Sequence, residues 1–263
     1  MKNIKDLNPK NNNLLLKQID KLNENSKEWD KVNIILKERN FLNFIRKVKN
    51  INKDEISKIS KKFLNDDRFK NSIQKKLIKI EKRKSMGDVR FHSFTIYLIV
   101  RILKPKIMLE TGVCNGKSTS MILLAMNHNN CGKLISIDKT KKINKDGSRY
   151  SLIKNKTGYL IPAYLKKKWI FKRGDSIKVL KKLKLKKNEF VDIFFHDSLH
   201  TYEHTKNEIS EILKMIDLKK KFCMIVDDID LGAGKAFNKF LDKNKTFGYS
   251  FKNLGIFNGK INI

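Results

Sequence analysis

The sequence is poor in cysteine, with 3 in 263 residues, at positions 114, 131 and 223. An odd, sparse set is no disulfide framework and fits a reducing compartment. Long hydrophobic runs are also missing. The longest wholly apolar stretch, Met121 to Met126, is far below the ~20 residues of a membrane span. Met1 to Lys5 is followed by no apolar segment of signal-peptide length, so the expectation is a cytoplasmic protein with no membrane partner. Acidic residues are outnumbered, 27 Asp+Glu against 59 Lys+Arg, for a net charge of +32. Arginine is scarce within that excess, with 51 Lys to 8 Arg. Base reading and bidentate phosphate grip favour Arg. The Lys are dispersed, and the 27 Asn that accompany them suggest an AT-rich coding bias. No specific nucleic-acid partner is therefore expected, although such a surface attracts polyanions at low salt.

Glycine is absent from residues 1–85, and proline occurs there once, as Pro9. Apolar residues recur instead at helical spacing: Ile34, Leu36, Phe41, Phe44, Ile45 and Val48, then Ile56, Ile59 and Phe63, then Ile73, Leu77 and Ile80. We read residues 1–85 as a helical N-terminal extension that caps the fold or joins copies into a homo-oligomer, with a substrate lid as the functional alternative. Residues 86–263 form the main domain. It opens on a densely apolar, buried helix from Phe91 to Leu103, stopped by Pro105.

From residue 106 the pattern alternates. Strands are expected at Lys106–Val113, Lys133–Asp138, Trp169–Arg173, Val191–His196 and Phe222–Asp227. Helices are expected at Ser118–Asn127, Tyr202–Met215 and Lys235–Leu241, with a closing hairpin around Lys252-Asn253. This alternation predicts a parallel, doubly wound α/β sheet. In such sheets the ligand lies beyond the carboxyl ends of the strands, and polar residues follow every strand here.

Glu110 to Thr119 reads Glu-Thr-Gly-Val-Cys-Asn-Gly-Lys-Ser-Thr. Gly112 and Gly116 permit a tight turn, and the next helix offers free N–H groups to an anion. A phosphate loop is one reading, because Gly116-Lys117-Ser118 ends like a Walker motif and Met224 to Asp228 imitates its partner strand. That motif needs four residues between its glycines, and three stand here. The Glu-x-Gly-x-x-x-Gly-x-Ser loop of methyl-transfer enzymes fits without a gap. Asp138 ends the second strand, where an acid can accept ribose hydroxyls. Asp175 and Ser176 follow the third, suited to an adenine edge or to a helix N-cap. His196, Asp197, His200 and His204 follow the fourth, and Asp227-Asp228 the fifth. Asp197, Asp227 and Asp228 could converge as hard oxygen ligands for Mg²⁺, with His200 as general base. The alternative is that Asp197 and Asp228 cap the helices that follow.

These stretches together resemble the class I S-adenosylmethionine-dependent methyltransferases, in the subfamily called methyltransferase domain 24. The likeness runs over roughly residues 86–258. It is carried by Val100 to Pro105 leading into Glu110 to Val113, by Gly158 to Pro162, by Gly174-Asp175-Ser176, and by His196 to His204 ahead of Asp227-Asp228. The resemblance implies a Rossmann-like seven-stranded, mostly parallel sheet with a reversed final hairpin. It implies S-adenosylmethionine as cofactor, with Glu110, Gly112, Asn115, Gly116, Ser118 and Thr119 at its methionine end. Asp138 would hold the ribose, Asp175 and Ser176 the adenine, and His196 would line the cofactor's edge. Some relatives that methylate sugar hydroxyls bind Mg²⁺ through acids matching Asp197, Asp227 and Asp228, with a base matching His200; there the first of the paired acids is often Glu. The expected reaction is O-methylation of a sugar, glycan or natural-product acceptor selected by the loop Thr140–Lys168. An RNA methyltransferase, a P-loop-like nucleotide-binding protein and a catalytically silent scaffold are the alternatives.

Overall fold

The computed structural model describes residues 4–6, 36, 39–77, 91–139 and 156–261. Residues 140–155, with Gly147 of the expected acceptor loop, lie outside the described residues, as do Ile34 and Ile80 of the helical pattern.

A short strand, β1 (Ile4–Asp6), precedes three helices of the extension, α1 (Arg39–Val48), α2 (Lys53–Leu64) and α3 (Asp67–Leu77). In α1 the buried positions are Phe41, Phe44, Ile45 and Val48, the spacing of one helical face. Asn52 starts α2 with a capping box: its side chain accepts from the Glu55 N–H, and the Glu55 carboxylate accepts from the Asn52 N–H. Asp66 starts α3 by accepting from the Phe69 N–H at 2.8 Å.

The main domain follows as α4 (Phe91–Leu103), β2 (Ile107–Thr111), α5 (Lys117–His128), β3 (Lys133–Asp138), β4 (Trp169–Arg173), α6 (Ser176–Lys182), β5 (Ile193–His196), α7 (Tyr202–Leu213), β6 (Phe222–Val226), α8 (Gly232–Lys243), β7 (Gly248–Phe251) and β8 (Leu254–Gly259). The sheet order is β1-β7-β8-β6-β5-β2-β3-β4. Strands β2 to β6 are mutually parallel, and β8 runs antiparallel between β6 and β7. These seven strands are the expected doubly wound, Rossmann-like sheet with its reversed hairpin. The eighth, β1, adds a parallel edge beside β7; three residues are too few to show a period in the sequence.

Neighbouring residues on each strand face opposite layers. Met108, Phe195 and Ile225 join the layer that holds α1 to α5. Leu109, Phe194 and Met224 join the layer under α6, α7 and α8. The extension is part of the first layer. Phe41 and Phe44 each lie 5.8 Å from Phe251, and Phe63 lies 5.1 Å from Phe94 and 4.9 Å from Tyr97. A polar chain ties the same helices to α5: Tyr97 Oη sits 2.8 Å from His128 Nδ1, and His128 Nε2 sits 2.9 Å from Asp66. The apolar face of the extension is thereby buried within the chain. No described helix is long and apolar enough to cross a membrane.

Candidate active site

Two strand ends meet at Gly112. Strand β2 stops there because the backbone turns to φ +87°. A Cβ at this position would stand 1.8 Å from the carbonyl oxygen of Asp197, so only glycine allows the loop after β2 to lie against the loop after β5. Gly116, at φ +83°, is equally constrained, since a Cβ there would stand 2.7 Å from Gly158 Cα. The glycine loop is thus enclosed by Asp197 on one side and by the Gly158–Ile161 turn on the other.

Glu110 is fully buried beneath this loop. Its carboxyl group meets the hydroxyls of Ser118 at 3.2 Å, Thr119 at 2.9 Å and Ser136 at 2.7 Å. Burial pushes its pKa up to about 7, against the opposing pull of those three hydrogen bonds. Ser118 and Thr119 therefore turn inward to Glu110 and set the first turn of α5. The Asn115 carbonyl accepts from the Leu160 N–H at 2.8 Å, which ties the loop to the following turn.

Asp138 also serves the loop. Its Oδ2 accepts from the Val113 N–H at 2.7 Å and the Cys114 N–H at 2.8 Å. The acid that ends β3 thus closes a knot between two strand ends at the position expected to carry a ribose. Asp175 caps α6 by accepting from the Lys178 N–H at 3.1 Å and pairs with Lys139 at 2.6 Å. The hydrogen bond from Lys139 leads in holding its carboxyl below the usual range. Ser176 is drawn inward, its Oγ 3.1 Å from His204 Nε2.

Beyond β5 and β6 the acids form a pair and an outlier. The Asp197 carboxyl group is held well above its ordinary pKa, first by burial, then by the adjacent Asp227 and by Glu110. It shares a hydrogen bond with Asp227, as expected of two carboxyl groups that share a proton. Asp228, at φ +51°, takes other partners: its Oδ1 accepts at 2.6 Å from Asn253 Nδ2, which also reaches Asp227 at 3.4 Å, and its Oδ2 stands 3.6 Å from His200 Nε2. Among the described residues no three or more His, Cys, Asp or Glu side chains are gathered to hold a metal ion. The donor chemistry of Asp197 and Asp227 still fits a hard divalent cation, which would relieve their mutual repulsion.

His200 has its Nδ1 buried without a side-chain partner. Burial, then the neighbouring His196 ring, lowers its pKa against the pull of Asp228, which favours the neutral imidazole.

Sequence reasoning missed Glu208. This buried residue of α7 accepts from Thr111 Oγ1 at 2.7 Å and Ser198 Oγ at 2.9 Å. It also lies 2.7 Å from His196 Nδ1 and 2.9 Å from His204 Nε2. Burial pushes its carboxyl up, but the hydrogen bonds from His196 and His204 outweigh this and hold it well below the carboxylate range. His196 is a supporting residue of the same network. Its Nε2 lies 3.0 Å from Thr205 Oγ1, whose proton goes to the Thr201 carbonyl. The ring thus bridges Glu208 of α7 to Thr205. The four-residue spacing of His204 and Glu208 on a helix was the available signal.

Residues 109–229 match a family model described as a methyltransferase domain. Curated protein sequences contain no significant match. Among solved structures, the O-methyltransferase from Bacillus cereus in complex with SAH superposes with a TM-score of 0.50 at 14% identity, over 73% of this chain and 91% of that one. The O-methyltransferase TomG from Streptomyces achromogenes, involved in tomaymycin synthesis and solved with SAM, gives 0.49 at 12% identity, over 73% and 90%. The family match coincides with the glycine loop, the His196–His204 segment and the paired acids, all on the carboxyl ends of the doubly wound sheet. Residues 109–229 thus resemble a methyltransferase domain in sequence, and the chain shares the doubly wound fold of a solved O-methyltransferase.

Proposed function

We propose that the protein transfers the methyl group of S-adenosylmethionine to a hydroxyl oxygen of a sugar, glycan or natural-product acceptor. The observation that carries this reading is the contact between Gly112 and the Asp197 backbone. It makes the cofactor loop and the carboxylate–histidine cluster immediate neighbours, so a donor on one and an acceptor on the other would lie side by side. Positioning of this kind supplies much of the rate in methyl transfer.

S-adenosylmethionine, when bound, would supply an electrophilic methyl group that passes to the acceptor oxygen, the C–S bond breaking as the C–O bond forms and the thioether keeping the electron pair. The acceptor's proton goes to His200. With Nδ1 sealed inside the protein, Nε2 is the receiving atom, and Asp228 Oδ2 at 3.6 Å stabilises the imidazolium that results. Glu110 and Asp138 hold the glycine loop rigid while this happens. Asp197 and Asp227 would hold Mg²⁺, whose chemistry is to lower the pKa of the acceptor hydroxyl; Asp228, expected as a third ligand, is instead engaged by Asn253 and His200.

Titration calorimetry with the full chain tests the cofactor assignment. S-adenosylmethionine should bind at micromolar concentration, roughly −8 kcal/mol, and ATP far more weakly. Tight ATP binding without cofactor heat would return the glycine loop to the phosphate-loop reading. Labelled methyl transfer into sugar, natural-product and RNA pools then tests the acceptor, with incorporation expected in the hydroxylated small molecules.

A further inference from the structure

Lys76 ties the extension to the turn that lies against the glycine loop. Lys76, on the last turn of α3, donates from Nζ to the Ile161 carbonyl at 2.7 Å and the Leu160 carbonyl at 3.2 Å. These two residues belong to the turn that encloses the glycine loop. The Leu160 N–H donates to the Asn115 carbonyl at 2.8 Å, and the Gly158 N–H donates to the Cys114 carbonyl at 2.9 Å. The Ile161 side chain and Gly158 fill the space where a Gly116 side chain would stand. A second contact joins α3 to the same region, with the Arg68 guanidinium stacked 3.9 Å over the Tyr164 ring. The chain of contacts runs from α3 to the Leu160–Ile161 carbonyls, and from there to the backbone of the glycine loop.

The charge around Lys76 is unfavourable. It is partly buried, and Lys156 and Lys166 act on it with like charge. Burial first, then those two lysines, push its pKa down to about 8. Among the described residues its hydrogen-bond acceptors are the two carbonyls, neither of them charged. Retention of a cation there against desolvation and repulsion points to the carbonyls as the purpose of the contact.

We infer that Lys76 is a positioning residue for the cofactor: by holding the Leu160 and Ile161 carbonyls, it fixes the turn that shapes the glycine loop, so the N-terminal extension sets affinity for S-adenosylmethionine. The inference rests on the methyltransferase reading. It assigns a role in cofactor binding to a segment that lies outside residues 109–229.

Calorimetry with S-adenosylhomocysteine on the full chain, paired with thermal melts, tests it. Lys76→Met should weaken binding on the order of tenfold, about 1.4 kcal/mol. Lys76→Arg, which keeps two donors and the charge, should restore most of it, and Lys70→Met on the same helix should match the wild type. A Lys76→Met variant that binds as tightly as the wild type would overturn the inference and leave the methyltransferase reading intact, whereas a wild-type chain that gives no heat overturns both. Hydrogen exchange on the wild type supplies a readout that needs no variant. If α3 supports the cofactor, the cofactor must stabilise α3 by the same coupling energy. Protection should therefore rise in residues 67–77 together with 158–161; a rise confined to 112–119 would sink the proposal.

Discussion

His196 Nδ1 and Glu208 Oε2 lie 2.7 Å apart with both side chains excluded from solvent. The pair joins the last residue of β5 to the middle of α7. Through Glu208 it extends to Thr111 at the end of β2, to Ser198 beside the acid pair, and through His204 to Ser176. A single carboxylate thereby holds together the strand ends expected to contact the methionine, the acceptor and the adenine.

Replacement of Glu208 should be felt in stability first. Removing the buried carboxylate leaves Thr111, Ser198 and the His196 and His204 rings without their shared partner, and Glu208→Ala should cost about 3–5 kcal/mol in urea unfolding. Glu208→Gln keeps the shape and one acceptor and should cost less. The stability Glu208 contributes is present above the unfolded carboxylate value and is lost only as pH falls through its much lower folded value. Equal stability of the wild type and Glu208→Ala at pH 7 would remove the network from this role.

Glu110 has the opposite sign. Its folded pKa, about 7, stands above its ordinary value of 4.5. Its contribution is complete below the unfolded value and is lost as pH rises from there through 7. Melting temperature measured without cofactor should fall over that window, and Glu110→Gln should flatten the profile. A variant that keeps the wild-type slope would show that Glu110 ionises freely.

His200 and the acids can be separated by activity. His200→Ala should lose roughly 10²–10⁴-fold in turnover, the range for a general base. Because its pKa is lowered, the acid limb of the wild-type profile should fall below the ordinary histidine value of about 6.5. EDTA should abolish turnover while cofactor binding persists, with Mg²⁺ restoring it, and Asp197→Asn and Asp227→Asn should each lower turnover strongly. Full turnover of the Asp227→Asn and Asp228→Asn variants in EDTA, with lowered melting temperatures, would make these acids structural and the enzyme metal-independent.

The extension should unfold with the domain it covers. Phe63 contacts Phe69, Phe94 and Tyr97 and is fully buried. Phe63→Ala should therefore cost about 3–5 kcal/mol in one cooperative transition. Two separate transitions in the wild type would show that the extension folds on its own.

Periodicity and turn chemistry determined much of this molecule locally. The alternation after residue 106 fixed β2 to β8 and most of the helices between them, because short apolar runs bounded by Gly, Asp and Asn leave few other arrangements. The three-residue spacing of Gly112 and Gly116 fixed the kind of loop, since φ above zero and close backbone approach are properties of glycine itself. Partnership could not be read in this way. Glu208 resembled any solvated acid on a polar helix until α7 packed on the sheet and brought Thr111, 97 residues away, to its carboxylate. Asp138 sat at the right strand end, yet only the fold showed its Oδ2 holding the loop N–H groups. Asp227 and Asp228 are adjacent in sequence and both accept from Asn253 Nδ2, at 3.4 and 2.6 Å, yet only the fold set Asp197 beside Asp227 and His200 beside Asp228. Lys76 was one lysine among 51, and only tertiary packing set it against two carbonyls 84 and 85 residues downstream. Backbone preference is local and shows in the sequence, whereas the pairing of buried polar groups depends on which distant surfaces the core brings together.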